Sequence, residues 1–288
     1  MKKSSFWLLI LKNKLMMTQI IVGIDFSNSS MVALKIAVDI ANRTGANILM
    51  AWVETREKTK EEAQTELHRI ATEFTPKLNG KKITYIICEG KVYQAMSNLV
   101  ETETPDLIVI GAHGKGGFDE KYAGQNVFKI VTECKCPVLT IRETFNFDKH
   151  LEKLILPIDS SRDTRQKVPW TIEFAKMFPH SHICVLGVQT THIKSVRNIV
   201  RGYVNSVESF LTKHNLPYTT EYVDSENVTV STLEYAKKIN ADLIVVMTEQ
   251  EKTITNMLFL GPYCQQMLNL SPFPVLTVPS VQLHNTER

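Results

Sequence analysis

Short runs of apolar residues recur along the chain, each bounded by turn residues and separated by longer stretches of helical periodicity. Ile20 to Ile24 is the first such run and reads as a buried strand. Ser27 to Ser30 offer N-cap candidates for a helix over Met31 to Thr44, which Gly45 closes at its C′ position. The pattern then predicts a strand over Ala46 to Val53, a long charged helix over Lys58 to Leu78 and a strand over Lys82 to Cys88. A helix over Val92 to Glu103 and a strand over Leu107 to Ile110 follow. After a loop from Gly111 to Gly124 come a helix over Gln125 to Thr132 and a strand over Val138 to Ile141. Strands that alternate with helices in this way imply a parallel sheet with helices on both faces.

The same order appears twice. Asp25 ends QIIVGID and Asp159 ends KLILPID, 134 positions later. Asp106 in PDLIVI matches Asp242 in ADLIVV at a spacing of 136, and Pro137 in CPVLTI matches Pro274 in FPVLTV at 137. Three landmarks in one order at nearly constant spacing mark a duplication. Strands near Leu154, His182, Thr219, Leu243 and Val275 repeat the first set. The predicted fold is α/β: two tandem open parallel five-stranded sheets with helices on both faces. The domains are residues 18–144 and 152–281, preceded by an extension at 1–17. The connection FNFDKHL is short and poor in Gly and Ser, so the two domains are expected to pack together.

Composition narrows the function classes. In 288 residues 43% are apolar and 22% charged, values of an ordinary globular chain, and the length suits two domains. A net charge of +3 gives no basic field for nucleic acid or a membrane surface. The apolar run Phe6 to Leu11 is too short for a signal core or a membrane span, so a cytoplasmic protein is expected, with translation starting at Met1 or at Met16 or Met17. Five scattered cysteines read as reduced thiols, and neither Cys134-x-Cys136 nor His180-x-His182 has further ligands near it for a metal.

The chemistry concentrates in the loop after the fourth strand. Gly111, Gly114, Gly116, Gly117 and Gly124 are five of only twelve glycines in the chain. At the carboxyl end of a parallel strand such a turn lets backbone amides approach phosphate oxygens, and the helix that starts after Gly124 favours an anion. The spacing is neither of the two common glycine phosphate motifs, so Lys115 gains no phosphate role from it. Taken alone, a glycine cluster is as often a loose surface loop.

Gly111-x-x-Gly114, nine residues and Gly124 resemble the signature of the universal stress protein family. The likeness covers both copies, about residues 18–280, and includes CPVLTI as the closing strand. In ATP-binding members it implies that Gly111, Gly114 and Gly124 wrap the phosphates, with Asp25 and the backbone of Val53 beside adenine and ribose. His113 in the loop, and Gln125 and Asn126 after it, complete the candidate set. Gln125-Asn126 departs from the Ser or Thr the family carries there, which weakens the expected phosphate contact. The resemblance implies ATP or ADP, with or without Mg, in the first domain and a role in the stress response. It also implies that the two domains pair through Val138 to Ile141 and Val275 to Val278, with further homodimerisation left open. In the second copy Met247 and Gln250 replace Gly111 and Gly114, Glu249 and Glu251 add negative charge, and Pro262 removes an amide. No nucleotide is expected there, although Asp159 and Val188 persist. Three readings remain: a nucleotide-binding protein that is not an enzyme, a slow ATPase using Asp119 or Glu120, and a nucleotide-free interaction protein.

Overall fold

The computed structural model describes residues 17–112, 124–145, 150–248, 250–252, 258–260 and 262–280. In the first half the elements are β1 (Gln19–Gly23), α1 (Asn28–Thr44), β2 (Asn47–Val53), α2 (Lys60–Phe74), β3 (Ile83–Cys88), α3 (Val92–Glu103), β4 (Leu107–Gly111), α4 (Gln125–Glu133) and β5 (Val138–Ile141). The second half contributes β6 (Lys153–Ile158), α5 (Val168–Lys176), β7 (His182–Gln189), α6 (Lys194–Lys213), β8 (Tyr218–Asp224), α7 (Val228–Ile239) and β9 (Leu243–Thr248). A hairpin of β10 (Gln250–Lys252) and β11 (Leu258–Leu260) follows, then α8 (Pro262–Leu270) and β12 (Val275–Pro279).

Local chemistry sets the helix ends. The Ser27 hydroxyl accepts from the Ser30 amide, so α1 begins at Asn28, one turn before the apolar pattern suggests. Thr59 and Glu62 form a reciprocal capping box that starts α2 at Lys60. That helix ends at Phe74, short of the sequence expectation, and a 3-10 turn over Thr75–Lys77 with Pro76 replaces its last turn.

Strand order is β3-β2-β1-β4-β5-β12-β9-β6-β7-β8. Each half is parallel throughout, and the halves join through antiparallel β5 and β12 with Leu139 opposite Leu276. The join is symmetric: the Thr140 hydroxyl donates to Val275 O at 3.2 Å, and that of Thr277 to Val138 O at 3.0 Å. The apolar core on each face of the sheet therefore runs across the join without a break, with Leu139 and Leu276 in one layer and Val138 and Val275 in the other. The repeated aspartates pin strand starts. Asp106 accepts from the Thr18 and Gln19 amides at 2.6 and 3.2 Å, and Asp242 from the Lys153 amide at 2.8 Å. Each carboxylate thereby ties the approach to a fourth strand to the start of the first.

One side chain breaks the symmetry of the join. Arg142, just past β5, donates from Nε to Ser271 O at 2.6 Å and from an Nη to Leu268 O and Asn269 O at 3.1 and 2.6 Å. A first-half guanidinium thus caps the carbonyl end of α8 in the second half, where the helix dipole favours a cation. Trp170 on α5 is partly buried at the margin of the core.

Candidate functional site

In the first half the strand order reverses between β1 and β4, and a parallel sheet opens its ligand crevice above that point, at the carboxyl ends. β1 ends at Gly23, and the chain leaves the sheet through Phe26 at φ 62°. Asp25 is exposed there, and its carboxylate accepts from the Ser27 amide at 3.0 Å and the Ser27 hydroxyl at 2.5 Å. This local turn presents the carboxylate at the rim of the crevice.

Along β2, Ala51 O accepts from the Ile24 amide at 2.9 Å on the β1 side, while the Glu54 amide reaches Cys88 O at 2.8 Å on the β3 side. Alternation then turns the amide and carbonyl of Val53 toward β1, beyond the point where β1 has ended. The Val53 side chain is buried, and beside it Trp52 packs against Phe26 with ring centroids 6.1 Å apart. Trp52 is thus a core residue, and the polar groups β2 offers the crevice belong to the Val53 backbone.

The two described glycines of the loop differ in kind. A Cβ on Gly111 would lie 2.6 Å from Ser29 Oγ, 2.7 Å from Ser29 C and 2.8 Å from Ser30 N. The end of β4 therefore touches the backbone of the first turn of α1, and the protein's own packing requires this glycine. Gly111→Ala is expected to lower stability by about 1–3 kcal/mol without any ligand. Urea unfolding checks it, and an unchanged midpoint would mean the contact relaxes at no cost. Gly124, in contrast, has φ −60°, and a Cβ on it would meet nothing within 4 Å among the described residues, so neither the backbone nor any described neighbour demands a glycine there.

Gly124 is the N-cap of α4 and supplies no side-chain bond, and the first turn of α4 holds no acidic residue. Gln125 and Asn126 are exposed on that turn. The Val127 amide donates to Gly124 O at 2.9 Å, which leaves the Gln125 and Asn126 amides at the exposed start of the helix, the positive end of its dipole. Asp25, Val53, Gly111, Gly124, Gln125 and Asn126 all lie at the carboxyl-end side of the first-half sheet, on its strand ends and the start of α4. His113 and Gly114 lie outside the described residues, as do Lys115, Asp119 and Glu120.

The second half rebuilds the Asp turn but closes the crevice. Asp159 accepts from the Ser161 amide and hydroxyl at 2.9 and 2.6 Å, as Asp25 does from Ser27. Sheet register sets Leu243 against β6 as Leu107 is set against β1, so Met247 occupies the place of Gly111. With that side chain present the counterpart of the α1 start is a 3-10 turn, Asp163–Arg165, and α5 begins only at Val168. Lys167 is 2% exposed, and its ammonium donates to Thr164 O at 2.6 Å and Thr164 Oγ1 at 3.2 Å. Asp159, Ser161, Thr164, Lys167 and Met247 line a residual cavity of only about 10 Å³, the size of one water at most. Sequence reading missed Lys167, because a lysine beside Gln166 and Pro169 looks like a solvated turn. The antiparallel β10–β11 hairpin stands at the chain position of the glycine loop.

Among the described residues no group of three or more His, Cys, Asp or Glu side chains could hold a metal, and no helix is long and apolar enough to cross a membrane. Four of the five cysteines are buried. Burial, aided by Glu133, pushes the Cys134 thiol up to about 12, so it stays protonated.

The model of the universal stress protein family matches residues 16–142 and again residues 150–279, and the chain belongs to that family. A universal stress protein of Methanocaldococcus jannaschii is 26% identical over 144 residues, which is 43% of this chain and 82% of that one. One from Mycobacterium tuberculosis is 27% identical over 143 residues, 43% of each chain, so the match spans under half of that relative. Among solved structures, a universal stress protein of Archaeoglobus fulgidus aligns with TM-score 0.72 at 16% identity, over 91% of this chain and 98% of that one. A protein from Pseudomonas aeruginosa described as a universal stress protein aligns with TM-score 0.70 at 15% identity, over 92% and 94%. These likenesses establish the α/β fold across both halves.

Proposed function

We propose that the first half, residues 18–144, is an adenine-nucleotide site holding ATP or ADP, and that the second half, residues 152–281, holds none. The observation that carries this reading is the pairing of Gly124 with an uncapped α4. A glycine that neither its φ nor any described neighbour requires sits beside the Gln125 and Asn126 amides at the positive end of the helix, a place suited to an anion. The Val53 amide and carbonyl, turned into the space above β1, supply a donor and an acceptor of the kind that reads an adenine edge. Asp25 at the rim suits a ribose hydroxyl. Gly111, His113, Gly114, Gln125 and Asn126 complete the proposed contacts along the loop and the first turn of α4. In the second half Lys167 and Met247 take up the corresponding space, which supports assigning it to packing against the first half through β5 and β12.

The protein acts in this reading as a nucleotide-binding stress protein in the cytoplasm, not as an enzyme. A slow ATPase would need a base and a metal held near the γ-phosphate, with Asp119 or Glu120 the available carboxylates. Gln125 in place of the family's Ser or Thr favours a second reading, an interaction protein with both sites empty.

Denaturing the purified full chain and running the supernatant on ion-exchange chromatography separates these. One ATP or ADP per chain is expected. No retained nucleotide, together with no calorimetric heat at millimolar Mg-ATP, would leave the interaction reading.

A further inference from the structure

A larger cavity lies elsewhere, in the second half, between α6 and the carboxyl ends of β7 and β8. It measures about 450 Å³ and is lined by Gln189, Arg197, Arg201, Asn205, Tyr222 and Asp224. Arg197, Arg201 and Asn205 follow one another at four-residue spacing and so share a face of α6. Arg197 is committed, bonding Thr191 O at 3.0 Å and pairing with Asp224. Arg201 forms no ion pair among the described residues.

Beneath Tyr222, one of the lining residues, lies a glycine in the middle of the buried strand β7. A Cβ on Gly187 would lie 2.5 and 2.7 Å from Tyr222 Cδ1 and Cε1, and 3.2 Å from Val204 Cγ2. The Tyr222 ring therefore rests against bare β7 backbone, while 41% of the residue stays exposed at the cavity. Glycine inside a strand weakens it, and close approach by another group is its usual reason.

The first half shows what is particular here. Gly187 pairs with Tyr222 in register as Trp52 pairs with Ile87. The buried face of α6, Val200, Val204, Val207 and Leu211, matches Ala63, Leu67, Ile70 and Phe74 of α2. On that match Arg201 stands where the first half has Gln64. The Arg197–Asp224 pair repeats Lys60–Glu89, which is 3.7 Å apart. The ion pair is thus common to both halves. The bare glycine, the aromatic ring laid over it and the arginine outside any ion pair stand where the first half has Trp52, Ile87 and Gln64.

We propose that this cavity is a second ligand site, for a small aromatic phosphate monoester whose ring packs on Tyr222 and whose phosphate is held by Arg201 with the Asn205 amide. Guanidinium and phosphate match in charge and fork geometry, and a phenol ring offers a flat apolar face. The site shares no residue with the β1–β4 crevice, so it stands or falls apart from the nucleotide reading.

Phenyl phosphate is the probe, titrated into the full chain by calorimetry and by ligand-observed NMR. Saturable binding is expected, tighter than for phenol or inorganic phosphate alone. Arg201→Gln should weaken it at least about tenfold, and Tyr222→Leu should reduce it toward the level of inorganic phosphate. Both residues are exposed, so both variants should fold, which circular dichroism verifies. Gly124→Asp should leave this binding unchanged. No saturable binding, unchanged binding in Arg201→Gln, or loss of binding in Gly124→Asp would each overturn the assignment.

Discussion

Gly124→Asp should abolish nucleotide binding while leaving the fold intact. Asp is a favoured N-cap, and Gly124 already has the extended backbone a cap requires, φ −60° and ψ 154°. A Cβ there meets nothing within 4 Å among the described residues. The carboxylate can accept from the open amides of the α4 first turn, so stability should hold or rise by a few tenths of a kcal/mol. The same carboxylate would stand where a phosphate oxygen is proposed to bind. Two like charges about 4 Å apart near a protein surface repel by about 4 kcal/mol, and the competing cap bond removes the donors as well. Affinity for ATP or ADP should fall at least about a hundredfold, read by calorimetry beside a urea titration of both proteins. Unchanged affinity would mean that the phosphates lie away from α4. Gly111→Ala cannot serve this purpose, because its Cβ strikes the backbone of Ser29 and its effect on folding would mask any effect on binding.

Arg142→Met should destabilise the whole chain by about 2–4 kcal/mol. The guanidinium makes three bonds to carbonyls of Leu268, Asn269 and Ser271, and hydrogen bonds to a charged partner contribute about 1.5–3 kcal/mol each before they share one side chain. Methionine keeps much of the apolar stem but leaves the last carbonyls of α8 uncapped. Because Arg142 belongs to one half and α8 to the other, the loss falls on the join between them. Urea unfolding should show either a lower midpoint at unchanged slope or a transition that splits in two, the second half unfolding first. A midpoint within the error of the parent would mean that β5 and β12 hold the halves together without this cap.

The two halves have diverged in complementary ways. Where the first keeps glycine at 111, the second has Met247 and a buried Lys167. Where the first sets Trp52 beside Ile87, the second sets Gly187 under the Tyr222 ring. A duplicated fold supplies two carboxyl-end faces, and only one of them needs to stay suited to any given ligand. The other is then free to change so long as the shared core and the join are preserved.

Features that depend on short-range pattern could be read from the chain alone. Apolar runs bounded by turns located the inner strands of each half, because a buried parallel strand must be apolar on both faces, whereas the edge strand β8, with no buried residue, was placed by the repeat. The repeated Asp25 and Asp159, Asp106 and Asp242 were legible as landmarks, and the glycine cluster marked a candidate loop. Its family signature added roles for Asp25 and Val53 that periodicity alone does not give. Features that depend on contacts between distant residues emerged only on folding. Gly111 and Gly124 look alike in the chain, and only the approach of α1 to the end of β4 separates a packing glycine from an open one. Lys167 and Arg142 look like ordinary surface cations: the bonds of Lys167 to Thr164 are local but its burial beside Met247 of β9 is not, and Arg142 meets the end of α8 only on folding. Gly187 left a faint signal, a glycine within an apolar strand, but its partner Tyr222 comes from the neighbouring strand 35 positions later. Local propensity records how a residue suits its own backbone, whereas its burial and partners are fixed only when separate segments meet.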